Sequence, residues 1–212
     1  MFTLRRQIEL ETIFLITICA GISIFFVTQK NNFQPQFSIA SNEPQAQVPA
    51  EVVTPKITVF SQISPDGKEK VIMKVTENND GTKTYAFSTA NQGGDNEKHI
   101  FNKTSDLQID MTIPFNTWSP DNKYFFIQEN STNGKSIFVF SATGAQFANG
   151  EIYLDITDLF AKANTGNNFN QATGWASESL IIINTTKENN AEGPSYWFEV
   201  PSKAIIQLST KF

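Results

Sequence analysis

The sequence predicts an all-β domain of three antiparallel β-meanders, carried behind one N-terminal transmembrane helix. Three observations support this. The 212 residues include 19 Phe with frequent Thr, Ile and Val, which favours strands. One turn sequence recurs along the chain, and one uncharged apolar run lies near its start. We therefore expect an N-terminus and membrane anchor at 1–28, a disordered linker at 29–56 and an extracytoplasmic domain at 57–212.

The N-terminal segment is typical of a membrane anchor. Residues 13–27 carry no charge, and a spanning helix needs about 20 residues, or about 17 at the short end. Thr12 and Thr28 extend the run to the interface. Arg5 and Arg6 precede it, so the positive-inside rule places the N-terminus in the cytoplasm and the large domain outside. This pattern predicts a single-pass protein of the cell membrane.

Three other export signals are alternatives to an anchor. A cleaved signal peptide needs small residues near the end of the apolar run, and the first candidate site, 38–40, is distant. A lipoprotein signal needs a small residue before Cys19, where Ile18 stands. A pilin-type start lacks the Gly that should precede Phe2. All three also export the domain, and cleavage is left open.

The segment from 29 to 56 is predicted to be a mobile tether. It contains few large apolar side chains and four of the nine prolines of the chain. Such a composition buries too little surface to offset the entropy lost on ordering. It is expected to hold the domain away from the bilayer.

The domain itself carries a recurring turn. Ser64-Pro65-Asp66-Gly67-Lys68 returns as Ser119-Pro120-Asp121-Asn122-Lys123. Trp118, directly before the second copy, returns as Trp175. A strongly apolar segment follows each time, at 71–75, 124–127 and 180–183. Turn-stabilising roles, structural and not catalytic, are assigned to Pro65, Asp66, Gly67, Pro120, Asp121 and Asn122.

Each unit continues through a polar turn into further strands, which predicts a small meander of three or four strands. Its first apolar strand needs cover on both faces, and one sheet cannot provide that alone. Stacking neighbouring sheets face to face, as propeller blades do, solves the problem. A short helix is also expected at 155–163, capped by Thr157 or Asp158.

This pattern resembles the WD40-like repeat of the TolB-type β-propeller family, from about Ile57 to Ser209. The third turn departs from it, because Ser177-Glu178-Ser179 replaces Pro-Asp-Gly. The resemblance implies protein–protein interaction or scaffolding outside the cytoplasmic membrane, without a conserved catalytic set.

Three units are fewer than the four to eight blades of ordinary propellers, so a partial or small propeller is predicted. Three arrangements remain open. The first and last strands complete an unusual closure, the sheets form an open stack, or two chains associate through their terminal blades to give six.

The sequence predicts no enzyme, cofactor or metal site. His99 is the only histidine, and the only cysteine lies in the apolar run. Asp110, Asp155 and Asp158 lack the spacing of a calcium loop. A net charge of −5, with no arginine after Arg6, opposes nucleic-acid binding.

The function expected from these features is a membrane-anchored extracytoplasmic interaction or scaffold module that holds an unidentified protein or cell-envelope partner. Trp118 and Trp175 are assigned to packing. Tyr196, Trp197 and Phe198 are candidate interaction aromatics. The alternatives are a ligand- or glycan-sensing ectodomain and a degenerate enzyme subunit.

Overall fold

The computed structural model describes residues 55–209, and this part of the chain folds into three four-stranded antiparallel sheets. The predicted all-β domain of three antiparallel meanders is confirmed at this level. The predicted anchor (1–28) and nearly all of the linker (29–56) lie outside the described residues. Among residues 55–209 there is no helix with the length and apolarity needed to cross a bilayer.

Each sheet is built from strands that are consecutive in the chain, in spatial order. Sheet 1 contains β1 (Lys56–Ile63), β2 (Glu69–Glu77), β3 (Thr82–Asn91) and β4 (Lys98–Asp106). Sheet 2 contains β5 (Asp110–Thr112), β6 (Tyr124–Ser131), β7 (Gly134–Ser141) and β8 (Tyr153–Asp155). Sheet 3 contains β9 (Asn168–Trp175), β10 (Leu180–Thr186), β11 (Tyr196–Glu199) and β12 (Ala204–Gln207).

The three apolar segments singled out in the sequence all form second strands. Residues 71–75 lie in β2, 124–127 in β6 and 180–183 in β10. A 3₁₀ turn, Ala148–Gly150, lies between β7 and β8, and the helix α1, Ile156–Lys162, connects β8 of sheet 2 to β9 of sheet 3. In each meander one further strand, β1, β5 or β9, precedes the apolar strand.

The hydrophobic core consists of two clusters, one on each face of sheet 2. Phe125 belongs to the cluster shared with sheet 1, and the next residue, Phe126, belongs to the cluster shared with sheet 3. Because side chains alternate along a strand, β6 must be apolar on successive residues to fill both clusters. Sheets 1 and 3 each contribute one face to the core.

The helix α1 has the predicted position but a different cap. The Asp155 carboxylate accepts a hydrogen bond from the Asp158 amide at 3.0 Å. The Thr157 hydroxyl, one of the expected caps, instead accepts a bond from the Ile137 amide in β7 at 3.1 Å. The helix is thereby tied to sheet 2, with Phe160 buried in the second cluster.

Candidate functional site: a cavity where the three sheets converge

The turn between β1 and β2 is held by the side chains of Ser64 and Asp66. The Ser64 hydroxyl donates to the Asp66 carboxylate at 2.8 Å and accepts from the Glu69 amide at 3.0 Å. The Lys68 amide donates to the same carboxylate at 3.0 Å. Hydrogen bonds to the carboxylate lower the pKa of Asp66 to about 2, and the bond from the Lys68 amide has the largest effect. The carboxylate is a turn-stabilising group.

The second copy of the turn reproduces these bonds. The Ser119 hydroxyl donates to the Asp121 carboxylate at 2.8 Å, and the Lys123 amide donates to it at 3.2 Å. The Tyr124 amide donates to the Ser119 hydroxyl at 3.0 Å. Burial opposes ionisation of Asp121, but the bonds from Lys123 and Ser119 outweigh it and lower its pKa.

The two turns also share a backbone conformation. Gly67 has φ +74° and Asn122 has φ +60°, the left-handed region that glycine and asparagine tolerate best. The third turn is different. The Ala176 amide donates to the Leu180 carbonyl at 2.7 Å, whereas the corresponding bond of the first turn runs from the Ser64 amide to the Glu69 carbonyl. The third turn is therefore one residue shorter than the first, in agreement with its loss of the Pro-Asp-Gly sequence.

One tryptophan bonds sheet 2 to sheet 1, and a second bonds sheet 3 to sheet 2. The Trp118 indole N–H donates to the Gln62 carbonyl, and the Trp175 indole N–H donates to the Thr117 carbonyl, both at 3.0 Å. Gln62 and Thr117 each stand two residues before a turn serine, so the acceptor position is the same. Each indole thus forms a hydrogen bond between neighbouring sheets.

A cavity of about 600 Å³ opens beside these tryptophans. Sheet 1 contributes through β1 and the turn after it, sheet 2 through the segment between β5 and β6, and sheet 3 through β9 and Ile182 of β10. None of its lining side chains is ionisable. The lining residues are Gln62, Ile63, Pro65, Phe115, Asn116, Trp118, Pro120, Thr173, Gly174, Trp175 and Ile182.

The rim of this cavity combines an aromatic ring with fixed polar groups. Phe115 is 84 % exposed, the largest value among the exposed large hydrophobic residues described. Its neighbour Asn116 donates from its side-chain amide to the Thr173 carbonyl at 3.1 Å. Gly174 has φ +147°, and a Cβ there would stand 3.2 Å from that of Asn116. This close approach joins sheets 2 and 3 at the cavity wall.

The lining is suited to binding and unsuited to proton transfer. Apolar and aromatic walls with a few placed amides favour contact with apolar or ring-shaped groups. General acid–base chemistry needs a titratable side chain within hydrogen-bond reach, and the cavity lining supplies none. Within residues 55–209, no group of three or more metal-ligating side chains comes together.

The three candidate interaction aromatics lie on two different faces. Tyr196 and Phe198 are buried in the cluster between sheets 2 and 3. The Tyr196 hydroxyl accepts a bond from the Asn167 side chain at 3.0 Å. Trp197 points to the opposite, outer face of sheet 3 and is half-buried. Its indole N–H is buried and has no acceptor among the described residues.

The remaining titratable candidates have structural partners. Lys83 bonds Asp110 at 2.6 Å, and the pKa of Asp110 is lowered by that bond. Asp158 pairs with Lys162 at 2.6 Å along α1. Burial raises the pKa of Asp155, whose carboxylate caps the helix. These carboxylates serve the fold.

A second cavity of about 430 Å³ lies along β8 and α1. Its walls include Asp155, Asp158 and Lys162, which already bond one another or the helix terminus. The walls of this second cavity come from one sheet and the helix. The larger cavity is lined by all three sheets, and we take that one as the candidate site.

The cavity was not foreseen from the sequence. Phe115, Asn116 and Thr173 belong to no motif, and no local pattern brings them together. The sequence predicts only packing roles for the tryptophans and turn roles for the prolines that line the cavity. Comparison with protein-family models and with curated proteins found no match to this chain.

Proposed function

We propose that this chain is a non-catalytic binding module held at the outer surface of the cell membrane, with its three sheets arranged as blades of a partial β-propeller. The cavity carries this proposal, because all three sheets contribute to an apolar, aromatic-lined opening without ionisable groups. We infer that a protein segment with an exposed apolar side chain binds there.

Several features support the propeller interpretation. In each sheet the strands follow one another in chain order, and the cavity walls come from β1, from the segment between β5 and β6, and from β9 with Ile182. Neighbouring sheets are joined by the same tryptophan-to-carbonyl bond. The location outside the cytoplasm is supported by the uncharged run at 13–27 and the two arginines before it.

A photo-cross-linking experiment tests the binding site. Phe115 is replaced by a photoreactive phenylalanine analogue in the full-length chain expressed in its own membranes. Because this side chain is 84 % exposed, the fold should tolerate the change. We expect a discrete cross-linked protein from position 115. The matched control places the analogue at Leu107, an exposed apolar residue outside the cavity lining.

A glycan is the second candidate occupant. The exposed Phe115 ring beside the Gln62 and Asn116 amides is the combination that stacks on a sugar face and bonds its hydroxyls. A panel of soluble envelope glycans that raises the melting temperature of the wild type, but not of Phe115→Ala, would favour this occupant. Equal cross-linking from positions 115 and 107, with no glycan effect, would contradict both.

A further inference from the structure

We propose, beyond the binding function above, that two copies of the chain associate head to tail. The outer face of sheet 3 in one copy packs on the outer face of sheet 1 in the other, and the reciprocal contact closes a ring of six sheets. The outer face of sheet 1 is defined by Ile57, Val59 and Ile63, and that of sheet 3 by Ile182, Trp197 and Ile206.

The register of the strands fixes which residues form the outer face of sheet 1. Residues directly opposite each other in an antiparallel pair share a face. Val71 and Met73, in the core, stand opposite Gln62 and Phe60. The alternate residues of β1 therefore point away from the core. This face is not covered by another sheet of the described chain.

Apolar residues on this outer face match positions that are buried in sheet 2. Val59 stands opposite Lys74, and Met111 stands opposite the equivalent Glu129. Met111 is 3 % exposed because sheet 1 covers it, whereas Val59 is 56 % exposed. This position is thus apolar in both sheets, but only Met111, in sheet 2, is covered by a neighbouring sheet.

The residue before the turn serine shows the same contrast. Trp118 precedes Ser119 and is 5 % exposed, and Ile63 precedes Ser64 and is 46 % exposed. The tryptophan is buried against sheet 1. Ile63 occupies the position of an inter-sheet contact that has no partner within the described chain.

Sheet 3 likewise exposes an apolar residue on its outer face at a position that is buried in sheet 2. Leu154 stands opposite Val139 in sheet 2 and is 1 % exposed, covered by sheet 3. Ile206 stands opposite Trp197, at the equivalent place, and is 44 % exposed. Both ends of the stack therefore expose large apolar residues where an internal sheet would bury them, which marks them as contact surfaces.

The internal contacts predict which residues meet across the proposed interface. The Trp175 ring of sheet 3 lies 6.1 Å from the Phe126 ring of sheet 2. Ile63 is at the tryptophan position of sheet 1, and Ile182 is at the Phe126 position of sheet 3. In a head-to-tail pair, Ile63 of one copy therefore packs against Ile182 of the other.

Charge favours joining unlike ends over joining like ends. Sheet 1 places Lys70 and Lys74 on its outer face, where Lys74 also bonds Glu97 at 2.7 Å. Sheet 3 places Glu199 on its outer face, opposite Leu180, and Glu192 at the end of the same face. Opposite signs across a contact favour it, whereas two lysine faces would repel each other.

The number of sheets favours closure with two copies. Blades form closed rings of four to eight sheets, and two chains of three provide six. A head-to-tail contact gives either a ring or an open filament, depending on whether the rotation closes. Closure at two copies leaves neither end face exposed, so assembly stops there.

Cysteine pairing tests the contact directly. Full-length chains with Cys19→Ser are prepared in mild detergent, one also carrying Ile63→Cys and the other Ile182→Cys. After mixing to allow exchange and mild oxidation, we expect a disulfide-linked species of twice the chain mass. Each variant alone should give none, because the two ends are unlike. Circular dichroism of both variants checks the fold.

The mass of the unmodified assembly gives an independent measurement. Light scattering, corrected for detergent, should report two chains. Ile206→Lys places a positive charge against the lysines of sheet 1 and should raise the dissociation constant about tenfold or more. Leu107→Lys changes a residue of similar exposure in the turn between β4 and β5, outside both faces, and should leave the dissociation constant unchanged. A single-chain mass, or links within the single-variant samples, would overturn the proposal.

Discussion

Replacing Phe140 with alanine is expected to destabilise the domain by about 4 kcal/mol. Phe140 is completely buried in the cluster between sheets 1 and 2. Its ring lies 5.4 to 6.3 Å from four other rings, those of Phe87, Phe101, Phe125 and Tyr153.

The magnitude follows from burial and from the ring contacts. Truncating a buried Phe to Ala costs roughly 3–5 kcal/mol, since apolar contact is lost and a cavity remains. The four ring contacts argue against the lower end of this range, because aromatic pairs contribute more than their buried area alone. A domain stable by roughly 5–15 kcal/mol should become marginal or unfold.

The matched control is Phe115→Ala. It removes the same atoms from a side chain that is 84 % exposed, so the expected loss is below about 0.5 kcal/mol. Urea denaturation followed by tryptophan fluorescence suits both variants, since all three tryptophans lie within the described residues. A loss below about 1 kcal/mol for Phe140→Ala, or equal losses for both variants, would refute the stacking of sheets 1 and 2.

Two further predictions concern hydrogen bonds, one between two sheets and the others within the first turn. Trp175→Phe removes the indole donor to the Thr117 carbonyl and should lower the free energy of unfolding by about 1 kcal/mol more than Trp197→Phe does. The indole N–H of Trp197 has no acceptor among the described residues, so its removal breaks no such bond. Equal urea midpoints for the two variants would contradict this prediction. The folded-state pKa of Asp66 is lowered from 3.8 to about 2, so its stabilising effect should be fully present above pH 4 and lost as the pH falls toward 2. Asp66→Asn should flatten this part of the curve of urea midpoint against pH, and an unchanged curve would show that the carboxylate does not act in the turn.

The second strands and the recurring turns could be predicted because their causes are local. β6 is apolar at every residue from Tyr124 to Ile127, and Asn122 supplies the left-handed backbone that ends the second turn. β9 was not foreseen, since Asn168 to Ala172 is mostly polar and carries no clear alternation. Such a strand is fixed by pairing with β10, which a local pattern cannot reveal.

The helix cap and the cavity could not be predicted from local sequence either, because both depend on contacts with other elements. Thr157 and Asp158 are both acceptable caps by residue type, but β8 ends at Asp155 and leaves that carboxylate at the helix start. Phe115 and Thr173 are far apart in sequence and line the same cavity only because sheets 2 and 3 converge there. Their roles depend on the angle between sheets, and no local motif encodes that angle.

The proposed binding site and the proposed association share residues, which makes them thermodynamically linked. Ile63 and Ile182 both line the cavity, and both belong to the proposed contact between copies. If both proposals hold, association changes the cavity walls, so an occupant must bind one and two copies with different affinity. Linkage then requires the occupant to shift the dimerisation constant by the same factor. A cavity occupant that binds Ile206→Lys and wild type equally well would separate the two proposals.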